Sequence, residues 1–115
     1  MKYVPFGKLG FEVSRYGLGC MRLPLKVQPD GSTSTEAIDE EAAIAMIRHA
    51  VDSGVNYFDT ANAYTDSEEK LGMAFVGVRR ESYIISTKSG ATTKAGVLAH
   101  VELSLRRLRT DYVDI

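Results

Sequence analysis

The sequence predicts an α/β fold built on parallel strands, and three observations lead there. Short apolar runs that end in polar residues alternate with longer segments whose apolar residues recur at helical spacing. After an opening hairpin and a first strand, helix and strand follow one another three times within 115 residues. Strands joined through helices of this length pair in parallel with right-handed crossovers. An open doubly wound sheet and a closed (β/α)8 barrel share this alternation, and pattern alone does not separate them.

Residues 3 to 14 read as the hairpin, with Tyr3-Val4-Pro5-Phe6 and Phe11-Glu12-Val13-Ser14 flanking a turn at Gly7-Lys8-Leu9-Gly10. Pro5 cannot donate a ladder hydrogen bond and places its arm at an edge. Tyr16 to Met21 reads as an inner strand, whose two glycines point to tight packing or close approach of a ligand. Arg22 to Ala37, with two prolines and a Pro-Asp-Gly-Ser-Thr-Ser-Thr run, reads as a long loop of the kind that shapes substrate access. Asp39 then caps a helix with Glu40 and Glu41 in its first turn, Ala43, Ile44, Ile47, Ala50 and Val51 on one face, and Gly54 as its stop. His49 falls on the opposite, surface face. Ser67, Glu68 and Glu69 open a second helix, with Leu71, Ala74 and Phe75 on its apolar side. Thr92 or Thr93 caps a third, marked by Val97, Val101, Leu105 and Leu108, with His100 on it in an ordinary packing role. Tyr112 to Ile115 reads as the start of another strand.

Composition bounds the rest. An apolar fraction of 44% and a charged fraction of 25% are those of an ordinary globular protein, and 115 residues make one domain or a part of one. The net charge of −1 is spread without a basic patch, so neither nucleic acid nor a membrane surface is an expected partner. One cysteine, Cys20, cannot form an internal disulfide and is expected as a small buried hydrophobe in a reducing, cytoplasmic setting. The start lacks the apolar core of a signal peptide, and no apolar run reaches membrane-spanning length. One Cys and two distant His cannot build a zinc site, so no metal is expected. Lys70 and Lys94 are read as solvated surface.

The stretch Val55 to Tyr64 (VNYFDTANAY) concentrates the chemistry. It runs as a buried strand into a loop, with Asp59 at the strand's carboxyl end and Tyr64 five residues on, and catalytic groups of parallel α/β folds gather at that edge. Tyr83 to Lys88 (YIISTK) ends in the same manner with Lys88. A carboxylate, a phenol and an ammonium at neighbouring strand ends make a proton-transfer site. Tyrosine is a weak acid, with an ordinary pKa of about 10. A neighbouring ammonium favours the phenolate, and a carboxylate keeps that ammonium charged and oriented.

Three separated motifs, Asn56 to Gly72 (NYFDTANAYTDSEEKLG), Ile84 to Lys88 (IISTK) and Leu103 to Ile115 (LSLRRLRTDYVDI), resemble the aldo-keto reductases in content and order. With Phe6 to Arg22 added, the resemblance covers nearly the whole chain and the amino-terminal part of that family. It implies a (β/α)8 TIM barrel, of which residues 1–115 supply the N-terminal hairpin and roughly the first half. It also implies reduction of an aldehyde or ketone by NADPH, or by NADH, with Asp59, Tyr64 and Lys88 as three of four catalytic residues. The fourth, a histidine, lies in the family just past the strand beginning at Asp111, so neither His49 nor His100 matches it. Tyr64 is then the general acid. Asp59 is expected near the nicotinamide ribose, and backbone around Gly19, Cys20, Met21 and Arg22 beneath the nicotinamide. Gly19 to Pro24 (GCMRLP) resembles a bacterial branch whose members often carry a carboxyl-terminal iron–sulfur domain. Two alternatives stand beside this reading. One is a cofactor-binding regulatory subunit, as in the potassium-channel beta subunits that resemble the same family. The other is an inactive fragment that self-associates through its open strand edges, if the native chain ends at Ile115.

Overall fold

The computed structural model describes residues 1–115, apart from the side chains of Thr35 and Glu36. The opening hairpin forms as expected: β1 (Tyr3–Pro5) pairs antiparallel with β2 (Glu12–Ser14). Asn56 fastens it to the central sheet. Its Oδ1 accepts from the Ser14 N–H at 2.7 Å, and its Nδ2 donates to the Glu12 carbonyl at 3.0 Å. The hairpin therefore lies across the amino-terminal end of the strand that follows Asn56.

The predicted strand at Tyr16–Met21 shortens to β3 (Leu18–Gly19), because Cys20–Arg22 coil into a single 3-10 turn. The expected loop from Arg22 to Ala37 is instead a second hairpin, β4 (Leu25–Val27) against β5 (Thr33–Ile38). Its turn is specified locally. Asp30 Oδ1 accepts from the Ser32 N–H at 2.9 Å, Gly31 sits at a φ of +81° open to glycine, and the Gln28 N–H donates to the Ser32 carbonyl at 2.7 Å.

Helix α1 (Glu40–Asp52) begins where Asp39 accepts from the Ala42 N–H, and it is followed by β6 (Tyr57–Asp59). Helix α2 (Ser67–Ala74) leads to β7 (Ile84–Ser86), and α3 (Lys94–Leu108) is capped by Thr93. The central sheet runs β3-β6-β7, all parallel, with Gly19 and Ser86 both in register with Asp59. Helices lie against one face, where Phe58, Ile47, Leu71, Ile85 and Leu108 are fully buried. Phe58 meets Phe75 edge-on at 5.0 Å, and Phe75 stacks on Tyr83 at 3.9 Å.

Two further expectations change in three dimensions. Lys70 is 8% exposed rather than solvated, its Nζ 2.7 Å from Glu40 Oε2 across the α1–α2 contact. Val97 and Val101, expected as part of the packed face of α3, are more than a third exposed; Ser104 and Leu108 face the core. The segment 112–115 does run beside β7, since the Ile115 N–H donates to Ile85 O and the Thr87 N–H to Ile115 O. It is not a regular strand, because the Ile85 N–H is taken by the side chain of Asp114 at 2.9 Å. Arg80 clamps this segment: it donates to Asp114 Oδ2 at 2.6 Å and to the Tyr112 carbonyl, with its guanidinium 3.8 Å from the centre of the Tyr112 ring.

Candidate active site

The three chemistry-bearing residues meet at the carboxyl edge of the sheet. Asp59 ends β6. The pairing of β6 with β7 continues beyond it, as the Thr60 N–H donates to Ser86 O and the Asn62 N–H to Lys88 O. This carries Lys88 to the flank of Asp59. The Lys88 Nζ donates to Asp59 Oδ2 at 2.6 Å and to the Thr60 carbonyl at 2.7 Å. It also lies 5.2 Å from the centre of the Tyr64 ring. Burial works against the ammonium, but the hydrogen bond and charge of Asp59, with Tyr64 adding, outweigh it and hold Lys88 above its ordinary value. The pair opens to solvent, with the Asp59 side chain 34% and the Lys88 side chain 49% exposed.

Tyr64 stands in a loop folded as consecutive turns, its N–H donating to Ala61 O and its carbonyl accepting from the Ser67 N–H. Thr65 beside it adopts a φ of +41°, a left-handed conformation that a β-branched residue rarely takes. The loop is anchored from below. Ser67 Oγ donates to the Cys20 carbonyl at 2.8 Å and meets Thr60 Oγ1 at 2.8 Å, both hydroxyls being buried. Ser67 thus serves as a cross-brace, and the helix it opens has no side-chain cap.

Of the other residues expected at the site, Gly19 lies next to Asp59 by register and is exposed. Met21 and Arg22 are exposed and share a small cleft of about 60 Å³ with Tyr64, Thr65, Leu23, Leu25 and Ile38. Cys20 is fully buried and its carbonyl is taken by Ser67, so it offers the site no side chain. Burial first, then the Asp59 charge, pushes its thiol up to about 12. An open cleft of about 610 Å³ between Phe75, Tyr83 and Leu108 lies at the other end of β7 and touches none of the triad. Among the described residues no cluster of His, Cys, Asp and Glu is arranged to hold a metal ion. Nor, among them, is any helix long and apolar enough to cross a membrane.

Residues 17–115 match the model of the aldo/keto reductase family. The chain belongs to this family. The aldo-keto reductase YhdN of Bacillus subtilis strain 168 is 35% identical over 128 residues, spanning all of this chain and 37% of that protein. The crystal structure of PA4992 from Pseudomonas aeruginosa superposes with a TM-score of 0.82 at 33% identity, over 97% of this chain and 45% of that one. The holo form of the aldo-keto reductase AKR11C1 from Bacillus halodurans gives 0.78 at 33% identity, over 99% and 38%. The chain thus spans less than half the length of these relatives. Within the family's fold, hairpin β1–β2 and the parallel strands β3, β6 and β7 are the amino-terminal part of a (β/α)8 barrel, with 112–115 along the growing edge. The triad stands at the carboxyl ends of these strands, the edge where barrel enzymes place their chemistry.

Thr60, Ser67, Glu68 and Arg107 hold the Tyr64 loop, whereas the sequence marked Ser67 and Glu68 only as the start of a helix and gave Thr60 and Arg107 no role. A signal existed for one of them: Ser67 opens a helix whose preceding residue, Asp66, is itself a good capping type, which leaves a spare hydroxyl.

Proposed function

We propose that the protein carrying this chain reduces an aldehyde or ketone to an alcohol with a nicotinamide cofactor, NADPH or NADH, and that Tyr64 is the general acid. The observation that carries this reading is the Lys88 ammonium, bonded to Asp59 at 2.6 Å and set 5.2 Å from the Tyr64 ring. The Lys88 cation lies where it can stabilise the negative charge that develops on the phenol as its proton passes to the carbonyl oxygen. Asp59 keeps Lys88 charged and directed.

The donor set suits a nicotinamide riboside. The part-exposed Asp59 carboxylate would accept from ribose hydroxyls, and the exposed residues Gly19, Met21 and Arg22 would lie along the cofactor's edge. Cys20 shapes this floor from beneath. When bound, the cofactor supplies the hydride that the carbonyl carbon receives. Tyr64 then transfers its hydroxyl proton to the carbonyl oxygen, and water returns a proton to the phenolate. The names of the relatives support the reading at family level, and the holo form of the Bacillus halodurans protein supports a bound cofactor.

The test is turnover of NADPH by the native protein against a panel of aldehydes and ketones, with Tyr64→Phe beside it. The expected loss in kcat is on the order of 10²- to 10⁴-fold, with cofactor affinity kept. A protein that binds NADPH and reduces none of the panel would overturn the enzyme reading in favour of a regulatory subunit.

A further inference from the structure

Glu68 is the most deeply buried charged side chain among the described residues, 1% exposed, and the proton transfer proposed above does not use it. Burying a carboxylate is costly, and an apolar residue of similar size often gives a more stable fold. Its partners point to another role. Glu68 Oε1 accepts from the Thr87 hydroxyl at 2.7 Å, and Thr87 directly precedes Lys88. Glu68 Oε2 faces Arg107 Nη1 at 3.4 Å, and that same nitrogen donates at 3.1 Å to the carbonyl of Asn62, in the loop leading to Tyr64. One carboxylate therefore ties the backbone that carries the lysine to the loop that carries the tyrosine.

We propose that Glu68 is a positioning residue, which fixes the separation of Lys88 and Tyr64 by bridging Thr87 to Arg107. This rests on the reductase reading of the triad, although the geometry it predicts stands without turnover. The first turn of α2 then has a division of labour. Ser67 locks the loop to Thr60 and Cys20 on one side. Glu68 locks it to the end of β7 on the other. Neither residue touches the reacting atoms. Displacements of about 1 Å between reacting groups can cost about a hundredfold in rate, so a bridge of this kind has leverage on the chemistry.

Three variants of the native protein test it: Glu68→Gln, Glu68→Leu and Thr87→Val. Glutamine can keep both links by turning its oxygen to Arg107 and donating from its amide nitrogen to the Thr87 hydroxyl oxygen, so Glu68→Gln is expected to hold kcat within about threefold. Glu68→Leu and Thr87→Val are each expected to lower kcat about tenfold or more, with the Kd for NADPH unchanged. Crystal structures of the two are expected to show Lys88 Nζ moved from its place 5.2 Å from the Tyr64 ring centre by on the order of 1 Å. Thr87→Val keeps the side-chain volume and guards against simple failure to fold. Folded Glu68→Leu and Thr87→Val with wild-type kcat and an unmoved Lys88 would overturn the proposal. If the wild type itself reduces no carbonyl, the reductase reading fails, and the two crystal structures still decide the placement.

Discussion

Lys88 and Asp59 are joined across neighbouring strands at 2.6 Å, and the join is set by backbone before it is set by charge. Thr60 and Asn62 extend the β6–β7 ladder past the last regular pair, so the two side chains meet without freedom to drift along the strands. Lys88 also bonds the Thr60 carbonyl, a second contact that holds its ammonium 5.2 Å from the centre of the Tyr64 ring.

This geometry predicts how the lysine titrates. Its folded value is raised, so the stability that the pair contributes is fully present below about pH 10.5, the unfolded value, and is lost as pH rises through the folded one. Replacing Asp59 by Asn removes the raising effects of the carboxylate and leaves burial, which lowers, opposed only by Tyr64. Carbon-13 NMR of the Lys88 side chain is expected to show a lower midpoint in Asp59→Asn. An unchanged midpoint would mean that Asp59 does not hold the charge.

Thr65 stores strain beside the candidate acid. At a φ of +41° its branched side chain costs on the order of 1–3 kcal/mol, which glycine avoids, while glycine loses about 0.5–1 kcal/mol through its freer unfolded chain. Thr65→Gly is therefore expected to stabilise the protein by about 1 kcal/mol in urea unfolding. No gain would show that the turn relaxes without cost around threonine.

Gly72 of α2 lies directly against the backbone of the last turn of α3. A methyl group there would fall on the carbonyl oxygen of Arg107 and within 2.9 Å of the Leu108 carbonyl carbon. These are backbone atoms and cannot swing aside. Gly72→Ala is expected to cost about 1–3 kcal/mol by overpacking, despite alanine's better helix propensity. A variant as stable as wild type by the same unfolding measurement would mean that the two helices separate freely.

The Cys20 thiol is expected to be inert in the folded protein. With a pKa of about 12 and no exposed surface, it offers almost no thiolate at neutral pH. A disulfide reagent such as Ellman's should react only as fast as the protein unfolds. Rapid labelling under native conditions would place the thiol at the surface.

The parts of the site legible in the sequence were those written in contiguous residues. Asp39 and Thr93 cap their helices as their types suggest, and Asp59 and Lys88 meet at neighbouring strand ends with Tyr64 in the loop beyond. The hairpin β4–β5 was present as a signal, since Asp30-Gly31 stands between two segments that accept extended backbone, but its prolines and hydroxyls suggested a loop. Glu68 and Lys70 were not legible. Acidic residues in a first turn and a lysine mid-helix are ordinarily solvated. Only partners brought from far along the chain, Thr87 and Arg107 for one and Glu40 for the other, make their burial tolerable.

Strand β6 is three residues long, and its middle member, Phe58, packs under the helices while Asp59 faces the opposite side. Side chains alternate along a strand, so a slip of one residue would drive the carboxylate into the hydrocarbon layer and turn the phenyl ring toward the Lys88 and Tyr64 side. The aromatic ring is thus the sighting mark for the carboxylate: the force that seats Phe58 among Phe75 and its neighbours is also what aims Asp59. A core substitution far from any reactant, chosen only to adjust packing, could on this account misdirect the chemistry without unfolding the protein.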